Sequence, residues 1–112
     1  MTAEQATMAA LSTFRKRLNR RYGPRLRALY LFGSRARGDH RPDSDLDVAV
    51  VLDAFADPIA EGFALDEEGT PVLLEHSVRV QAWPFEEREL ADPEHARAPA
   101  LLGTILREGV RL

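Results

Sequence analysis

Apolar positions set the frame of this 112-residue chain, and their spacing changes character four times along it. Between Thr2 and Tyr22, the residues Met8, Leu11, Phe14, Leu18 and Tyr22 recur at three- and four-residue steps, the stripe of an amphipathic helix that Gly23-Pro24 ends. Ala28 to Phe32 (ALYLF) is a short apolar run stopped by Gly33, too brief for a helix and rich in strand formers. Leu46 to Leu52 (LDVAVVL) reads as a second strand, preceded by the turn-like HRPDSD. Asp57 to His76 is ambiguous: Gly62 and Gly69 interrupt a helical pattern, and Thr70-Pro71 suits the start of a short separate helix running through Leu74. Val78 to Trp83 (VRVQAW) alternates and stops at Pro84, as a third strand would. Leu101, Leu102, Ile105 and Leu106 give the apolar face of a last helix closed by Gly109.

The order is helix, two strands around a Gly-Ser turn, a helical crossover, a third strand and a terminal helix. It predicts a single α/β (α+β) domain over residues 1–112, with a small mixed sheet and packed helices. At 45% hydrophobic content the chain is long enough for a real core. With no cysteine, neither a disulfide framework nor a thiolate metal site is available. No signal-like segment or run of about 20 apolar residues occurs, so the expected location is the cytoplasm, away from the membrane.

Net charge is only −3, yet residues 1–41 carry ten Arg or Lys against two acids, and residues 42–112 carry five against sixteen. Two explanations fit: the halves neutralise each other across the fold, or the basic half builds an anion site beside carboxylates of the acidic half.

The segment GSRARGDHRPDSDLDVAVVL (residues 33–52) favours the second. Strand side chains alternate, so Asp45 and Asp47 point to one side and Leu46 and Val48 to the other. Two bare carboxylates so close repel each other, and a hard divalent cation between them removes the conflict. Magnesium suits such a pair, since it commonly takes one or two carboxylates and completes its shell with water and phosphate oxygens. Gly33-Ser34 offers the other half of the site, a turn whose backbone can approach a phosphate closely. Arg35, Arg37, His40 and Arg41 add positive charge nearby, with Arg37 the best placed as a two-pronged phosphate partner. Each feature alone has a plainer explanation as turn or solvated loop. Neither other phosphate motif, G-x-x-x-x-G-K-[ST] or G-x-G-x-x-G, is present. His40, His76 and His95 lack zinc-type spacing and read as loop or surface residues.

Residues 33–48 read G-S-x-A-R-G-x-x-x-x-x-S-D-x-D-x and resemble the signature of the DNA polymerase β superfamily, specifically its minimal nucleotidyltransferase (MNT) domains. Ten residues separate Gly33-Ser34 from Asp45-x-Asp47, and Ala36, Arg37, Gly38 and Ser44 match the extra positions of the minimal subgroup. The tight match covers residues 28–52. The resemblance implies a mixed sheet with helices on one face and a nucleotide site in which Gly33, Ser34, Arg37 and Ser44 hold NTP. Asp45 and Asp47 would hold Mg2+. The implied reaction moves a nucleoside monophosphate, such as AMP from ATP, onto a hydroxyl with loss of pyrophosphate. It further implies an antitoxin role beside a helical HEPN-type toxin whose tyrosine is the acceptor, without direct nucleic-acid binding; a second copy of the chain is the other candidate partner.

One position departs from the family pattern. A third carboxylate on the following strand normally completes the site, and aligning VRVQAW to that strand puts Gln81 there. An amide neither carries charge nor takes a proton. Glu75 and Glu86, on the flanking segments, are the remaining candidates for that function. Two functional classes therefore follow: a transferase, or a catalytically weak nucleotide-binding antitoxin that acts by covering its partner.

Overall fold

The computed structural model describes residues 1–112. Helix α1 (Ala3–Tyr22) begins at a reciprocal cap, in which the Thr2 hydroxyl accepts the Gln5 N–H and the Gln5 side chain accepts the Thr2 N–H. A 3-10 turn leads to β1 (Leu26–Phe32), and the single turn α2 (Ser34–Arg37) and a loop lead to β2 (Leu46–Leu52). Helix α3 (Pro58–His76) crosses to β3 (Val80–Glu86). Short α4 (Glu87–Ala91), a 3-10 turn, α5 (Pro99–Glu108) and the two-residue β4 (Val110–Arg111) follow.

The sheet order is β3-β2-β1-β4. β1 pairs antiparallel with β2 and β4, whereas β2 and β3 are parallel, as a strand–helix–strand crossover requires. One face of the sheet packs Leu29, Leu31, Val48 and Val50 against Phe14 and Leu18 of α1 and Leu65 and Val72 of α3. The other face packs Phe32, Ala49, Val51 and Phe85 against Leu102 and Ile105 of α5. Thus the two long helices share one face, and α5 covers part of the second.

Several details differ from the sequence reading. Residues 58–76 form one helix: the Asp57 carboxylate accepts the N–H groups of Ile59 and Ala60, and Pro58 occupies the first turn. Gly69, unfavourable by propensity, lies close against β3, where a Cβ would make a tight contact of 3.3 Å with Val80 Cβ. β3 runs on through Pro84 to Glu86, which an edge strand allows, since its outer N–H needs no partner. Met8 lies outside the buried stripe of α1 at 59% exposure, while Thr7 and Ala10 are buried.

Part of the charge asymmetry is neutralised across the fold. Arg17 pairs with Glu68, Arg21 with Glu67 and Glu68, Arg25 with Asp53 and Arg27 with Glu87, each joining the basic half to the acidic half. No helix is long and apolar enough to cross a membrane.

Candidate functional site

The C-terminal end of β1 and the N-terminal ends of β2 and β3 meet at one margin of the sheet. Phe32 lies opposite Asp47 on one side, and Gln81 lies opposite Asp47 on the other. Asp45 immediately precedes β2 and by alternation shares the face of Asp47. Neither carboxylate has a hydrogen bond or an ion pair within the chain.

Half-buried Asp47 is held above the ordinary carboxylate range, first by burial and then by the neighbouring Asp45 charge, with Arg37 opposing. Arg37, itself exposed, is thus close enough to act on Asp47, although its nearest ion-pair partner is Asp39 at 3.2 Å. Gly33 sits at φ +75°, and a Cβ there would land on Asp47 Oδ2. Both facts demand glycine: the chain turns in a left-handed conformation while its backbone presses on the carboxylate. Ser34 opens α2, whose first N–H groups have no partner inside the helix.

A buried arginine missed as a key residue in the sequence holds this loop. Arg35 is 6% exposed; its guanidinium donates to Thr7 Oγ1 at 2.7 Å, to the Ser44 carbonyl at 2.9 and 3.1 Å, and to the Pro42 carbonyl at 3.3 Å. It ties α1 and α2 to the segment that delivers Asp45, using the planar fork that lysine lacks. Ser44 serves the same loop, its hydroxyl accepting the Arg41 N–H at 2.8 Å. The only sequence signal for Arg35 was its place inside an arginine-rich loop, where solvation is the usual role.

The three histidines diverge. His95 is exposed beside Asp92, His76 Nε2 meets Thr13 Oγ1 at 2.8 Å, and both ring nitrogens of half-buried His40 are closed off without partners. The loop-or-surface reading therefore holds for His95 and for His40, which lies in the loop before β2, and fails for His76, which ends α3.

Neither reserve carboxylate reaches Gln81. Glu86 stands five residues further along β3, about 17 Å away, where its oxygens meet the Phe55 N–H and Arg88. Glu75 is exposed at the end of α3, near His76. No group of three or more His, Cys, Asp or Glu side chains is arranged to hold a metal ion. Two carboxylates against a glycine cradle fit one hard cation with open positions for phosphate oxygens.

Residues 11–109 match the Nucleotidyltransferase domain family. Over 73 residues, 65% of this chain and 67% of the relative, the sequence is 33% identical to a provisionally named protein adenylyltransferase of Methanocaldococcus jannaschii. A mutant of the MntA toxin–antitoxin complex aligns over 91% of this chain and 70% of its own, at a TM-score of 0.62 and 24% identity. The complex of MNT antitoxin with tri-AMPylated HEPN toxin from Shewanella oneidensis aligns over 94% and 70%, at 0.58 and 21%. These structural likenesses establish the fold, and the matched span settles the family: the chain belongs to the Nucleotidyltransferase domain family.

Proposed function

We propose that this domain transfers AMP from ATP to a hydroxyl of a partner protein, in the setting of a toxin–antitoxin pair with a helical HEPN-type toxin. The observation that carries the reading is the pair Asp45 and Asp47, unpartnered and on one face, pressed against the left-handed Gly33 turn. The M. jannaschii relative and the AMPylated HEPN complex support the choice of AMP and of a protein acceptor.

Gly33 and Ser34 present backbone N–H groups to the phosphates, and Arg37 adds its charge from the exposed end of α2. Asp45 and Asp47 hold magnesium, which when bound neutralises the two carboxylates and the phosphate oxygens and steadies the charge of the departing pyrophosphate. The acceptor oxygen forms a bond to the α-phosphorus as the bond to the pyrophosphate oxygen breaks, and pyrophosphate leaves with that electron pair. The hydroxyl proton goes to water, since Gln81 in register with Asp47 has no basic group.

That last point favours a second reading in its own right. With Gln81 where a third carboxylate would sit and no cluster of three acids, the site is better equipped to bind nucleotide than to activate an acceptor. In this reading the domain is an antitoxin that acts by covering its partner and transfers slowly. Intact-mass measurement of the co-expressed toxin, with and without ATP and magnesium, separates the two. A gain of one or more AMP units establishes transfer, and an unmodified toxin in a stable complex that binds Mg–ATP establishes the covering role. A chain that binds no Mg–ATP removes both.

A further inference from the structure

Half of the exposed large apolar residues of this fold lie on one helix. Ile59, Phe63, Leu73 and Leu74 of α3 are 71, 66, 43 and 80% exposed, although Leu65 and Val72 of the same helix are completely buried in the core. The terminal helix α5 spends its apolar face on the core, burying Leu102 and Ile105 against the sheet.

The exposed residues form a seam. Ile59, Phe63, Asp66, Thr70 and Leu73 follow one another at steps of four, three, four and three, the spacing that keeps one helix facing another along its length. From Ile59 to Leu73 the seam runs about 21 Å. Its ends are apolar and its centre is polar. Asp66 is exposed and has no ion-pair partner, whereas Glu67 and Glu68 beside it are held by Arg21 and Arg17, Glu61 accepts the Tyr22 hydroxyl, and Glu75 lies near His76. Along its second half the seam borders a groove of about 270 Å3 between α3 and the edge strand β3, lined by Asp66, Thr70, Leu73, Arg79, Val80 and Gln81. The groove lies on the sheet face that α3 covers, and by alternation Asp47 faces the other side.

These features select the occupant. A strand cannot extend the sheet along β3, because Pro84 lacks an N–H in the middle of that edge. A second copy of α3 is disfavoured by charge. Paired parallel or antiparallel about its middle, the seam sets Asp66 against Asp66, with Glu67 alongside. A helix with apolar residues toward its ends and a cation at its centre meets both demands.

We propose that the outward face of α3 docks an amphipathic α-helix of a different protein, with a Lys or Arg of that helix on Asp66. Only the identity of that protein, as the carrier of the acceptor hydroxyl, rests on the function proposed above. Seated there, it abuts the groove between α3 and the edge strand β3.

The test uses a synthetic stapled helix of three heptads, with leucine at the seam positions and lysine at the central one, and a twin with glutamate in place of lysine. By calorimetry the lysine helix binds the wild-type chain at least tenfold more tightly than the twin. Phe63→Glu removes its binding, and Asp66→Lys reverses the preference between the two helices while Mg–ATP binding persists. Equal binding of both helices, no binding of either, or no reversal in Asp66→Lys overturns the proposal. So does a wild-type dimer in light scattering that Phe63→Glu dissociates, which would make the face a self-contact. Loss of Mg–ATP binding by the wild type bears on the nucleotide reading alone and leaves the reversal to be judged by itself.

Discussion

β2 and β3 run side by side for seven residue pairs, and the two ends of that ladder treat acid in opposite ways. At the starting end, Asp45 and Asp47 are left with no donor from the chain, and burial and mutual repulsion lift Asp47 above its ordinary range. At the far end, Glu86 accepts the Phe55 N–H at 3.1 Å and pairs with Arg88 at 2.6 Å, which together hold it below the ordinary range. Next to it Glu89, almost fully buried, is met by Arg97 at 2.6 Å; burial nonetheless outweighs that charge and lifts its carboxyl. One end therefore spends its carboxylates on the fold, and the other leaves them for something from outside. Acids kept uncompensated at a sheet margin weaken the fold, and such costs concentrate at functional sites.

The strongest way to break this contrast is to remove the tied acid. Glu86→Ala leaves the Phe55 N–H without its acceptor and Arg88 without its partner. With one member of that pair well exposed, we expect a loss of about 2–3 kcal/mol, read as a lower midpoint in urea unfolding with an unchanged slope. Mg–ATP affinity stays as it was. A variant that keeps full stability yet loses nucleotide would invert the roles assigned to the two ends.

Asp47→Asn is the mirror experiment. Removing the charge at the free end relieves repulsion with Asp45, so stability holds or rises by about 0.5 kcal/mol. Mg–ATP binding weakens by about 2 kcal/mol, the scale for losing a charged ligand, and Asp45→Asn does the same. Calorimetry with equal affinity for all three proteins would remove the metal site from the reading.

How much of the contrast was legible in the sequence depends on whether the signal was local. The free end was legible, because alternation alone puts Asp45 and Asp47 on one face, and Gly33 followed by a serine marks the turn before it. Gln81 was aligned with Asp47 correctly, since the VRVQAW alternation survives even though the strand begins two residues later than it suggested. The tied end was not legible. Glu86 was a candidate for the site until the run of β3 through Pro84 carried it to the opposite margin, and that run depends on β3 being an edge, which only the sheet order reveals. Helix α3 was missed as one element for a related reason. Gly62, Gly69 and Pro71 all argue against it locally, whereas the close approach of Gly69 to Val80 is a tertiary fact. Arg35 shows the same limit: its four hydrogen bonds go to three residues on two segments, α1 and the loop before β2, and nothing in the loop sequence separates it from Arg37 or Arg41.

Gln81→Asp sharpens the comparison by adding to the free end the acid it lacks. A carboxylate beside Asp47 accepts the acceptor's proton and acts on the transition state more than on bound nucleotide. We expect the AMP transfer rate to rise about tenfold, at the lower edge of general-base effects, with Mg–ATP affinity little changed and stability slightly reduced by the third negative charge. If wild type already transfers rapidly and Gln81→Asp changes nothing, a group from the partner supplies the base.

The smallest effect concerns acid stability, and its sign follows from Glu86. The folded state holds this carboxyl below its ordinary value, chiefly through the Phe55 N–H, so the ionised form stabilises the fold. That contribution is complete above the ordinary range near pH 4.5 and is lost as pH falls through the depressed folded value. Glu89 runs the other way: its carboxyl is lifted by burial, so its ionisation costs stability near neutrality and that cost fades as pH falls. The two acids thus contribute with opposite signs as pH falls. Glu89→Gln removes the opposing member. Its unfolding free energy in urea should rise at pH 7 by about 0.5–1 kcal/mol, and then fall more steeply than wild type between pH 5 and 3, because the Glu86 contribution is no longer opposed. Parallel curves for the two proteins over that interval would mean that Glu86 and Glu89 do not set the acid limb. The contrast between a tied end and a free one would then rest on the mutational results alone.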